Sequence, residues 1–443
     1  MISFEIRLKK AFLHPFKGGF AVLFFAAVST LYAVGEEPFP EGAQSLATRG
    51  IVGPYIAEAL HNNPGLLAAD RNYFAARQSI DSVGALPNPR IQLTHFVESV
   101  QTRTGPQEQA ILLQQPIPWL GKLSSKRDMA RAKSDALWHA YAVEQFRLVD
   151  EVSKQVLEIA FLDKAIDITH ENISLLKRLE SIVEDKVRVG GDLSDLLRLQ
   201  VEIERFEDLV AKQSTQRIVD TSALESVLGR KTAGATVLLE WEAPTNIVSD
   251  SDKWLSSISE RSPQIAMLRA IENSQEARER LSRLASRPDF SVGLNYIRTG
   301  DALNSSTPGS GTDPWAVMVG VSLPVWGKSN NAIALQASLE KEAISAQIEN
   351  IELRLQGEGR SWIARLDDSQ GRLERYRTKL LPLARQAQEI TESSYRSGTA
   401  SILDLIDTDR ALLKLETEYW RAASDAWLAR WKLATLSGGL WLN

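Results

Sequence analysis

Four short landmarks occur twice in the chain, in the same order and about 200 residues apart. Asn63-Pro64 matches Ser262-Pro263, and Asn88-Pro89-Arg90 matches Arg287-Pro288-Asp289. Farther on, Pro118-Trp119-Leu120-Gly121-Lys122 matches Pro324-Val325-Trp326-Gly327-Lys328, and Val187-Arg188-Val189-Gly190 matches Tyr395-Arg396-Ser397-Gly398. Ordered self-similarity at a near-constant spacing is the mark of one structural unit built twice. The expected organisation is a first repeat over 51–230, a connection over 231–250 and a second repeat over 251–437. Residues 36–50 form a linker before the repeats, and 438–443 a short tail.

Each repeat carries the same internal order. A helix is expected first, over 64–86 in one copy and 263–286 in the other. Two strands follow, at about 88–101 and 107–117, and again at about 288–300 and 313–325. Alternation is clearest in the second copy, where Phe290, Val292, Leu294 and Tyr296 share one face against Ser291, Gly293 and Asn295 on the other. Trp315, Val317, Val319, Val321 and Leu323 repeat the pattern; the first copy, with Ile91, Leu93, Val97, Ile111, Leu113 and Ile117, is less regular. Strands of this length with one bulky face suit a transmembrane β-barrel. The pattern alone also suits a half-buried hairpin of a soluble domain.

Long helices come next. From Lys122 to Arg188 there is no proline and no glycine, and Val152, Ile159, Ile166 and Ile173 recur every seven residues, with Val149 and Val156 in the companion position. A rod of that length spans on the order of 100 Å. Its counterpart, 328–397, carries Gly357, Gly359, Gly371 and Pro382 as candidate bends. Gly190-Gly191 and Gly398 are expected to end the rods, and Asp192 and Thr399 to cap the returning helices.

The first 35 residues read as a secretory signal. Arg7, Lys9, Lys10 and Lys17 precede a short apolar run, Phe20 to Val28, and Ala33-Val34-Gly35 offers a cleavage site before Glu36. No other stretch approaches the ~18 apolar residues of a transmembrane helix. Any membrane contact then falls to the strands. Two hairpins give four strands, and four cannot close around a lumen, while an open edge facing lipid leaves backbone groups unsatisfied. Several chains must therefore share one barrel; three would give twelve strands, an even number in the known range.

At this point the residues resemble a known family. The signal peptide, the duplicated unit, Leu86-Pro87-Asn88-Pro89 before the first strand, Gln115-Pro116-Ile117-Pro118-Trp119-Leu120-Gly121-Lys122 after the second, and the paired Arg-x-Gly turns look like TolC-type outer membrane efflux proteins. The resemblance covers roughly 51–437 and implies an α+β membrane protein. It implies a homotrimer with one twelve-stranded β-barrel, continuing into a long periplasmic α-helical barrel, with 231–250 as an equatorial connection. It also implies an outer-membrane exit duct of a tripartite efflux system, whose partners are a periplasmic adaptor (membrane fusion) protein, an inner-membrane efflux transporter and outer-membrane lipid. The two Gly-Lys strand exits look somewhat like the heavy-metal subgroup, which leans the cargo towards metal cations. The alternatives are a periplasmic coiled-coil structural or adaptor protein, or a type I secretion exit duct. An adaptor, however, needs only one helical hairpin. Some relatives are anchored through a lipidated N-terminal cysteine; this chain has no cysteine.

Within the resemblance, Gly398 to Asp407 matches the family's tunnel tip, with Asp404 and Asp407 on its acidic constriction positions. Three apart on a helix, they share a face, and a threefold ring of them would attract cations and raise their pKa values by crowding. Asp195 is the weaker counterpart in the first repeat, and Ala400 stands where some relatives have a basic locking residue. Arg188, Gly190, Arg396 and Gly398 are the candidate adaptor-docking turns, by resemblance; by sequence alone they terminate helices.

The remaining chemistry is sparse. The five histidines (14, 61, 95, 139 and 170) are scattered, methionine occurs four times without clustering, and no Gly-x-Ser-x-Gly elbow or phosphate loop is present. A net charge of −5 offers no nucleic-acid footprint. No enzyme, cofactor or resident metal is expected.

Overall fold

The computed structural model describes residues 41–231, 241–245, 250–304 and 306–442. The signal segment expected over 1–35 lies outside them, as do 36–40 and most of the connection between the repeats. The first half runs α1 (Glu41–Leu46), α2 (Gly53–Asn62), α3 (Pro64–Val83), β1 (Arg90–Thr102), β2 (Gly105–Ile117), α4 (Lys122–Arg188) and α5 (Leu193–Val227). The second half runs α6 (Ser251–Arg261), α7 (Pro263–Arg283), β3 (Asp289–Thr299), β4 (Trp315–Ser322), α8 (Gly327–Arg375), α9 (Leu381–Ser397) and α10 (Ile402–Leu436). Element by element the halves follow one plan.

Local chemistry sets the boundaries. Pro64 opens α3 and Pro263 opens α7, at first-turn positions where the missing N–H is no loss. Asn63 caps α3 by accepting from the Gly65 and Leu66 amides at 2.8 and 3.2 Å. β4 stops at Ser322, two residues before Pro324, which has no N–H for a ladder. Of the four candidate bends, the three glycines pass without a break, since α8 is continuous through Gly357, Gly359 and Gly371. The irregularity is a π-helical turn, Tyr376–Leu380, just ahead of Pro382 in the first turn of α9. A wider turn accommodates the proline ring, which cannot accept the tighter helical path. One cap differs from expectation. Thr399 does not cap α10; its hydroxyl and its amide both donate to the Ser394 carbonyl, at 3.1 and 2.9 Å. Ser401 caps instead.

α4 is the spine. Val149, Val152, Val156 and Ile159 are fully buried, as the seven-residue spacing requires. Ile166 is only half-buried, because the seam drifts around a straight helix and the contact passes to Ala160, Phe161, Leu162 and Ala165. There Ala422, Ala423, Ala426 and Ala429 of α10 pack into the same cluster, together with Trp241 and Trp254. Each large side chain so buried contributes roughly 1.5–3 kcal/mol. Ion pairs tie the helices further: Arg421 to Glu158 at 2.7 and 2.8 Å, Arg230 to Glu58 at 2.6 and 2.7 Å, and Arg217 to Asp163.

The four strands form one antiparallel sheet in the order β1-β2-β3-β4, so the two hairpins join through β2 and β3. Where the first hairpin leaves the sheet, Asp289 of the second accepts from the Trp119 amide at 2.7 Å and pairs with Lys122 at 2.8 Å. This clamp fixes one repeat's exit against the other's strand.

Candidate functional site

Two places carry features that the core does not explain: the sheet and the pair of helical turns. On one face of the sheet the register lines up Leu93, Ile111, Tyr296 and Trp315, then Ile91, Leu113, Leu294 and Val317. Val292 with Val319, and Ile117 with Phe290 and Val321, complete four apolar rows. These side chains point outward: Leu93 is 76% exposed and Val319 72%. The opposite face is smaller and more polar, with Gln92, Gln114, Ser291, Gly293 and Gly320, and Gln114 donates to the Ser291 hydroxyl at 2.9 Å. Among the described residues, β1 and β4 are both unpaired along their outer edges. An apolar belt this continuous, exposed to water, would be a liability. The alternation matches the side-chain pattern of a strand in a lipid-facing β-barrel. Among the described residues, no helix is long and apolar enough to cross a membrane.

The turns form the other place. α4 ends where Gly190 takes a positive φ of 103° and the Gly191 amide returns to the Lys186 carbonyl at 2.9 Å. Asp192 caps α5 by accepting from the Ser194 amide at 2.8 Å, and its carboxyl is held below the usual range by those bonds to Ser194. α9 ends at Gly398, with a φ of 82°. Nothing lies near the missing Cβ of Gly190 or Gly398, so backbone conformation alone calls for glycine there. Arg188 and Arg396 stand exposed beside them, paired with Asp185 at 3.3 Å and Glu392 at 2.5 Å.

Asp404 and Asp407 lie on the first two turns of α10, both exposed. Asp404 closes a reciprocal capping box: its carboxylate accepts from the Ser401 amide at 3.0 Å and the Ser401 hydroxyl at 2.7 Å, while its own amide donates to the Ser401 hydroxyl at 3.2 Å. Those bonds hold its carboxyl below the usual range within one protomer, opposite to the rise that crowding would cause. Asp407 lies 3.5 Å from Arg410, whose guanidinium is mainly held by the buried Glu202 of α5. Asp195, half-buried in the first turn of α5, stands close enough to Tyr395 to raise that phenol's pKa, after the larger effect of burial.

Sequence reasoning missed the residues that bring the two turns together. Lys186, at the end of α4, donates to the Tyr395 carbonyl at 2.9 Å and sits 3.8 Å over the Tyr395 ring. It also missed Asp409, which is 1% exposed, with Gln388 as its one nearby hydrogen-bonding side chain and no cation paired to it among the described residues. Burial pushes its carboxyl up to about 6, Gln388 opposing and Glu392 reinforcing. A signal was present: Asp409 falls in the apolar stripe of Ile402, Leu405, Ile406 and Leu413. Among the described residues no three His, Asp or Glu side chains gather as a metal site.

The profile of the outer membrane efflux protein family matches residues 55–230 and 254–439, one segment in each half. Outer membrane protein TolC of Vibrio cholerae is 21% identical over 372 residues, covering 80% of this chain and 83% of that protein. Among solved structures, the outer-membrane channel OprN superposes with a TM-score of 0.76 at 17% identity, covering 91% of this chain and 93% of the other. The outer membrane protein VceC of Vibrio cholerae gives 0.72 at 17% identity, covering 88% and 96%.

Proposed function

The chain belongs to the outer membrane efflux protein family, a non-enzymatic channel of the outer membrane with a large periplasmic helical part, and from that premise we propose that it works as a homotrimeric exit duct. Three copies of the four-stranded sheet close one twelve-stranded barrel, with the apolar rows facing lipid and the polar face lining the lumen. The helices continue below as a tunnel. A periplasmic adaptor docks at the turns through Arg188, Gly190, Arg396 and Gly398, and an inner-membrane transporter supplies the energy. Transport through the duct is passive, and selectivity follows from diameter and charge.

One observation carries this reading: an apolar sheet face exposed in a single chain, with two unpaired edges that only other copies can satisfy. The test is the mass of the detergent-extracted protein, corrected for bound detergent, after inner and outer membranes are separated. Three chains per particle in the outer-membrane fraction are expected. A monomer released without detergent would overturn the reading.

The constriction is assigned to Asp404 and Asp407, with Asp195 contributing from the first repeat, and the cargo leans to metal cations. Exposed carboxylates at a threefold axis would concentrate cations and disfavour anions. Charge reversal, Asp404→Lys with Asp407→Lys, should shift the reversal potential of single channels toward anion selectivity. Unchanged potentials would remove both residues from the gate while leaving the duct intact.

A further inference from the structure

Most arginines that join helices in this chain meet a carboxylate: Arg230 meets Glu58, Arg372 Asp425, Arg410 Glu202 and Arg421 Glu158. Among the described residues, Arg49 and Arg430 meet none. Arg49 comes from the turn between α1 and α2, Arg430 from the last part of α10, and both guanidiniums lie over the ring of Trp441, at 5.8 and 4.2 Å. Arg430 is 8% exposed and donates one bond, from Nη2 to the Leu442 carbonyl. The Nε of each is buried without a partner. Burial and the neighbouring Arg49 push the Arg430 guanidinium down to about 10, a sign of uncompensated positive charge.

Both arginines open on a cleft of about 910 Å³, walled by Trp241, Trp427, Trp431 and Trp441. Lys164 adds a third cation at its lining; Glu242, the only acid among the described lining residues, is exposed and makes no ion pair with either arginine. Leaving two guanidiniums together and unpaired is costly unless an anion completes them. The volume suits a drug-sized molecule, and indole walls suit an apolar body. We propose that this cleft is a binding site for a soluble organic oxyanion, a carboxylate or phosphate ester carried on an apolar group. A lipid headgroup is not the source: Leu157, in the cleft wall, lies about 50 Å along α4 from the strand exit at Lys122, at ~1.5 Å per residue.

The full-length protein in detergent is titrated with phenyl phosphate and, separately, with benzoate, following tryptophan fluorescence. Benzyl alcohol is the neutral control. Both anions should give a saturable change and the alcohol none. Arg49→Gln should weaken the apparent affinity about tenfold or more, the loss of one charge-assisted contact. Arg430→Gln should weaken it further; if that variant does not fold, Arg49→Gln, at a half-exposed turn, decides alone. No saturable change up to millimolar anion, an equal response to benzyl alcohol, or unchanged affinity in Arg49→Gln each overturns the site. Asp404→Lys should leave the titration unaltered, so this result and the gate result stand or fall separately.

Discussion

α4 and the α8–α9 rod are counterparts in the two halves, yet they live in different surroundings. α4 buries side chains from Ser125 to Val183, along nearly its whole length. α8 buries only scattered positions, and α9 only Leu381 and Tyr395, while Leu335, Leu339, Leu353, Leu383 and Ile390 stay exposed. The same ground plan has thus given one rod a finished environment and the other an unfinished one. Where both faces of a helix are satisfied within the chain, sequence can drift only by keeping volume. Where an apolar face is left bare by the described residues, a covering surface has still to be supplied.

The largest expected effect tests this contrast directly. Leu176→Ala, in the α4 core, should cost about 2–5 kcal/mol, read as a lower midpoint for loss of helical circular dichroism on heating. Ile390→Ala and Leu383→Ala should each cost under about 0.5 kcal/mol if their side chains are bare. A loss at Ile390 matching that at Leu176 would show a neighbouring copy covering α9, and the contrast would then belong to the isolated chain only.

Next comes Asp409, the buried acid between α9 and α10. Its carboxyl, ordinarily near 3.8, is pushed up to about 6. Between those values the folded chain keeps a proton that the unfolded chain has lost, so stability falls as pH rises through this window. The contribution is fully present below about 4 and is lost above about 6, a swing of roughly 3 kcal/mol as an upper bound. Asp409→Asn should flatten this dependence and raise the midpoint above pH 6. A wild-type profile with no fall from pH 4 to 6 would mean that Asp409 meets a cation or water when assembled.

Smaller still is the pair of caps. Ser401→Ala removes the reciprocal box of α10 and should cost about 1 kcal/mol, and Asp192→Ala a similar amount at α5. The comparison sharpens at Asp404: losing Ser401 frees its carboxylate, so the pH at which cation selectivity is lost should move up. The least effect is expected of Arg396→Ala, whose exposed pair with Glu392 is worth under about 0.5 kcal/mol. Its stability should hardly change while co-purification with an adaptor falls; unaltered co-purification would leave Arg396 as a helix terminator alone.

Much of the fold could be read because its cues are local. Freedom from proline and glycine marks α4 from Lys122 to Arg188, and two-residue alternation marks the strands whose outer faces turn out exposed. Local cues misled in two places. Thr399 looked like a cap because it follows Gly398, but a hydroxyl two residues on, at Ser401, had the geometry to meet the third residue of the helix. The glycines of α8 looked like bends, yet the helix runs unbroken through them; its departure from regular geometry is the π-helical turn ahead of Pro382. The site was legible to the same extent. Asp404 and Asp407 could be placed on α10 from the turn before it. Lys186 reaching Tyr395, or Arg410 reaching Glu202, joins residues some 200 positions apart, and no spacing rule brings them together.

The clamp between Asp289 and the Trp119–Lys122 corner has a consequence for the order of assembly. It sets the β2–β3 register from the helical side, using partly buried groups at the corner of the sheet. One chain can therefore prepare four aligned strands before it meets lipid or another copy. In the proposed shared barrel, encounters between copies would join whole sheets, and the one register left to find is that between β1 of one copy and β4 of the next. Loosening that corner should leave the helical part folded and slow insertion instead. The penalty would fall on yield in the membrane, through chains whose open edges find the wrong partner while they wait.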